Sequence, residues 1–141
     1  MGTWGVGIYN DDHALDAVAD LRESGDPNGH FEQVFSGFLS ATSDGFDESE
    51  FAGDWAQARA VLALCDVVRL AVVPRPTAGR VGIPNTLAQW LDSRTFKLAP
   101  SVIELAATCI QRLLDSKWLA GDYPEYWRVS VAPLALHFFG P

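Results

Sequence analysis

Basic side chains are scarce in this 141-residue chain. Ten Lys and Arg stand against eighteen Asp and Glu, for a formal net charge of −8 and a pI near 4.6. A nucleic-acid coat or a protein that lies on an anionic membrane needs basic patches, so this balance excludes both as partners. Cysteine is sparse too. Cys65 and Cys109 are isolated in apolar surroundings, with neither C-x-x-C nor histidine spacing beside them. Two buried thiols in a reducing cytosol are expected, and a disulfide between helices stays open. Long hydrophobic runs are also missing: the longest, residues 60–73, is interrupted by Asp66 and Arg69 and falls short of the ~20 residues that a bilayer demands. The opening residues carry no basic stretch followed by an apolar one, so no secretory signal is expected and a cytoplasmic location is the default.

What is present is apolar bulk. Hydrophobic residues make up 48% of the chain, with eight Phe and five Trp, which is enough for a core without metal or disulfide staples. A typical domain holds roughly 100–150 residues, so residues 1–141 read as a single domain. Its elements are helical. Asn10 and Asp11 are good caps for a first helix burying Ala14, Leu15, Val18 and Leu21, with Asp11, Asp12 and Asp16 complementing the dipole. The stretch from Ser24 to Gly29 reads as its stop, and a second helix is expected from about His30 to Ala41, burying Phe31, Val34, Phe35, Phe38 and Leu39.

The third helix is the clearest. Asp47 and Glu50 have capping-box spacing, and the residues from Phe51 to Val73 are apolar nearly all round, as a central helix requires. Its polar residues Arg59, Asp66 and Arg69 share one arc. A short helix carries Leu87, Trp90 and Leu91, and a fifth opens at Pro100 and buries Ile103, Ala106, Ile110, Leu113 and Leu114. The tail alternates like a strand at Trp127, Val129 and Val131 but is also spaced like a helix through Leu134 and Phe138; the expectation is a last helix, strained or kinked near Pro133. The fold class is therefore all-α: one bundle of five or six helices around a central apolar helix, at about residues 48–73.

The opening from Met1 to Asp16 includes Trp4, Gly5, Gly7, an aromatic at Tyr9, then Asn10, Asp11, Ala14 and Asp16. It resembles the start of a bacterial family catalogued as domain of unknown function 4259, whose members open M-G-x-W-G-x-G followed by an aromatic and an Asn-Asp pair. Residues 63–68, with Asp66, resemble the family's A-x-A-E-V-V, and Trp127 stands where the family has a Trp at its last helix. Departures are Asp66 for the usual Glu, and Pro133 with His137, Phe138 and Phe139 in place of a polar amphipathic helix. The family has no assigned activity.

Candidate chemistry is thin. The glycines of residues 2–7 run G-x-x-G-x-G, not the dinucleotide order, and no Gly-Lys-Ser/Thr follows, so they read as turn formers. Asp11, Asp12 and Asp16 are spaced i, i+1, i+5, which does not converge three carboxylates on a cation. Asp66 is the unusual carboxylate, since a central helix offers little water, and it requires a partner: Arg69 at i+3, with Arg59 on the same arc. His13, His30 and His137 share no metal-ligand spacing, and no Ser or Cys lies in a nucleophile elbow. No catalytic residue, cofactor or metal site is expected.

Charge distribution carries the functional expectation. Residues 1–54 hold twelve acidic side chains and one basic, Arg22, for −11, whereas the remainder holds six acidic and nine basic, for +3. This asymmetry suggests a non-enzymatic module that binds a basic protein, in the manner of immunity proteins or antitoxins. Glu23 and Asp26 between the first two helices, with Asp44, Asp47 and Glu48 before the third, are the expected docking residues. The alternatives are a metal-dependent or small-molecule enzyme using Asp11, Asp16 and Asp66, and a structural domain whose acidity only keeps it in solution.

Overall fold

A helix that is apolar on every side has to be wrapped by others, and that requirement organises the molecule. The computed structural model describes residues 9, 12–42, 51–72, 83–114 and 131–140, with residues 51–56 described by backbone alone. Among these the elements are α1 (Asp12–Glu23), α2 (Pro27–Ala41), α3 (Phe51–Val72), α4 (Asn85–Asp92), α5 (Pro100–Leu114) and α6 (Ala132–Phe139), and no strand occurs. The all-α expectation holds. α3 is the hub, touching α1, α2, α5 and α6, while α5 also packs on α2 and α6. From Val61 to Val68 every α3 side chain is buried.

The other helices each contribute one stripe. α1 turns Ala14, Val18 and Leu21 inward, and α2 adds Phe31, Phe35 and Phe38 at i, i+4, i+7, with the first two rings stacked 5.8 Å apart. Val102, Ala106, Cys109, Ile110 and Leu113 line the inner side of α5, and Leu87 and Leu91 complete the core from α4. No described helix is long and apolar enough to cross a membrane.

Two boundaries differ from expectation, and proline explains both. α2 begins at Pro27, not near His30: Asp26 is its N-cap, accepting the Gly29 N–H at 3.2 Å, and Pro27 occupies the first turn. A proline there loses no hydrogen bond, because the first N–H groups of a helix have no internal partner. Likewise Pro133 lies in the first turn of α6, so it starts that helix instead of straining its interior. The expected cap at Asp47 and Glu50 lies outside the described residues.

Helix ends elsewhere are closed by side chains from distant positions. Arg112 donates to the carbonyls of Leu39 and Thr42 and, at 2.6 Å, to the Thr42 hydroxyl, which itself donates to the Phe38 carbonyl. A cation is thereby placed at the negative end of the α2 dipole. Arg94 reaches the Leu91 carbonyl at 2.6 Å and the Ala71 carbonyl at 2.7 Å, closing the ends of α4 and α3 together. Asn28 accepts from the Ala99 N–H and donates to the Lys97 carbonyl, which ties the start of α2 to the segment before α5.

Because Thr42 is wholly buried, removing its cationic partner leaves acceptors that water cannot reach. Arg112→Met should therefore lower the unfolding free energy by about 1.5–3 kcal/mol, the range for hydrogen bonds to charged groups. Urea titration should show a lower midpoint at unchanged slope.

Candidate functional site

Position 66 combines a charge with burial, and its surroundings follow from that conflict. Asp66 lies in the middle of α3 and is 4% exposed. A carboxylate in that position is retained only if donors replace the lost water. Its Oδ1 accepts from Arg69 Nε and Nη2, each at 2.7 Å, a pair formed because i+3 places both side chains on one helix face. Oδ2 accepts from the Tyr9 hydroxyl at 2.6 Å. The Arg69 side chain is 31% exposed, so the pair lies at the edge of the core with its cationic end reaching solvent.

The electrostatics of the cluster hold the Tyr9 phenol protonated. Burial pushes the Tyr9 phenol well above its ordinary value, and the Asp66 charge and the hydrogen bond to it push the same way, with Arg69 opposing. Tyr9 therefore donates a proton that it does not give up. His137, exposed on α6, is held below its ordinary value by partial burial and by the Arg69 charge, with Asp66 acting in the opposite sense. The thiols too are held protonated. Burial raises Cys65 well above the ordinary thiol value and raises Cys109 to about 12. Both are free, donating long bonds of 3.7 Å to the Ala106 and Phe35 carbonyls respectively.

The sequence-derived candidates separate into groups. The expected Asp66–Arg69 pair is present, and Arg59 is also buried. Ala14 is buried, whereas Asp16 is exposed on α1 and shares no partner with Asp66, whose two oxygens are already engaged. No cluster of three or more His, Cys, Asp or Glu capable of holding a metal occurs among the described residues. Glu23 and Asp26 are both exposed, and Asp26 has a structural duty as the α2 cap. Trp4, Gly5, Gly7, Asn10, Asp11, Asp44, Asp47, Glu48 and Trp127 lie outside the described residues.

Two features have roles that the sequence did not assign. One is Tyr9, whose signal was available as a hydroxyl-bearing aromatic between the glycine motif and the first cap. The other is an acidic stripe on α1. Asp12, Asp16, Asp20 and Glu23, at i, i+4, i+8 and i+11, fall within an arc of about 80°. All four are exposed, on the side away from Ala14, Val18 and Leu21.

The described residues thus form an all-helical bundle with a Tyr–Asp–Arg cluster at the edge of its core and an acidic stripe on α1. The family model described as "Domain of unknown function (DUF4259)" matches residues 2–130, and the chain belongs to that family. Neither a curated protein nor a solved structure matches it. Tyr9, Asp66 and Arg69 all fall within the matched span.

Removing the carboxylate strands the Tyr9 hydroxyl in the core and leaves Arg69 without its counter-charge. Asp66→Ala should cost about 3 kcal/mol, the low end for a broken buried pair, because Arg69 can partly rehydrate. Tyr9→Phe should cost about 1.5–3 kcal/mol. Chemical denaturation measures both, and unchanged stability in Asp66→Ala would release that residue for a role other than anchoring.

Alkali should act through the same groups. Tyr9, Cys65 and Cys109 are held protonated in the fold, whereas in the unfolded chain they ionise near their ordinary values of 9.0 for the thiols and 10.0 for the phenol. Their contribution is complete at neutral pH and is lost as pH rises above about 9. Urea midpoints should be level between pH 7 and 8.5 and fall beyond, with thiol-reagent labelling appearing only on unfolding.

Proposed function

We propose that the protein is a non-enzymatic, cytoplasmic protein-binding module of the immunity or antitoxin kind, which neutralises a basic partner through an acidic face. The observation that carries this reading is the α1 stripe. Four carboxylates point outward from one helix, and none of them has an ion-pair partner among the described residues. The reading extends the −11 of residues 1–54 into three dimensions: the apolar side of α1 is spent on α3, which leaves its acidic side outermost. Glu23 continues the stripe to the turn where Asp26 stands, while the other expected docking residues, Asp44, Asp47 and Glu48, lie outside the described residues. Such a face accelerates encounter with a cationic protein and suppresses wrong partners, more than it adds raw affinity.

The enzyme alternative that uses Asp11, Asp16 and Asp66 draws less support. Asp66 is committed to Tyr9 and Arg69, and Asp16 belongs to the outer surface of another helix.

The test compares wild type with an Asp16→Asn, Asp20→Asn, Glu23→Gln variant as baits in extracts of the native host. These sites are exposed, so the variant should fold with stability within about 0.5 kcal/mol of wild type. Wild type should retain a basic protein that is released as salt rises toward 1 M, where the screening length falls to ~3 Å. The variant should retain far less of it at low salt. Equal capture by both with the same salt response overturns the proposal and leaves the acidity a solubilising feature.

A further inference from the structure

We draw no further inference here: the strongest candidate, the open apolar groove of about 450 Å³ between α5 and α6 lined by Gln111, Leu114, Leu136 and Phe139, carries nothing because nothing in the structure shows what covers it.

Discussion

The Asp66 carboxylate is the constraint around which the bundle is registered. Apolar burial supplies most of the stabilisation of such a fold, but it is non-directional and tolerates sliding. A buried carboxylate does not. Its Oδ1 fixes the Arg69 guanidinium one turn on, and its Oδ2 fixes the Tyr9 hydroxyl, just ahead of α1. Once Tyr9 is placed, α1 has to run along α3 from a defined origin, and Ala14, Val18 and Leu21 meet the central helix in one register. The specificity of the α1–α3 pairing thus rests on a polar contact inside an apolar interface.

Three of the described arginines are drawn into contacts within the chain. Arg69 is bound to Asp66, Arg94 holds the ends of α3 and α4, and Arg112 holds the end of α2. These three cations of the second part of the chain are engaged with its own carbonyls or with a carboxylate. The α1 carboxylates have no such ion pair among the described residues. Among the described residues these arginines serve as staples, while the α1 carboxylates stand exposed.

Much of the architecture was legible because it depends on local periodicity. The all-apolar α3, the i, i+4, i+7 phenylalanines of α2 and the inner stripe of α5 are written in consecutive turns. Asp66 and Arg69 were legible for the same reason, being three residues apart. Tyr9 was not, since its bond to Asp66 spans 57 positions and nothing local marks which hydroxyl arrives there. Pro27 and Pro133 misled for a shared reason: proline reads as a breaker until its position relative to a cap is known. Asp26 looked like a free docking charge because its capping bond to Gly29 appears only once the turn is formed. Of the expected docking residues, Glu23 alone is described as both exposed and uncommitted.

The arrangement of α1 carries a tension of its own. Asp12, Asp16 and Asp20 repeat at i, i+4, a spacing at which like charges each disfavour a helix by roughly 0.2–0.5 kcal/mol. Only Asp12 lies in the first turn, where the helix dipole compensates a carboxylate. A peptide of this sequence would have little reason to be helical alone; α3 holds it so by burying the opposite side. The stripe is thus a loaded spring of like charges kept straight by hydrophobic packing. Any cation that settles along it, whether a counterion or a lysine, relaxes that repulsion and tightens the helix, so the ionic atmosphere and the rigidity of α1 are one coupled property.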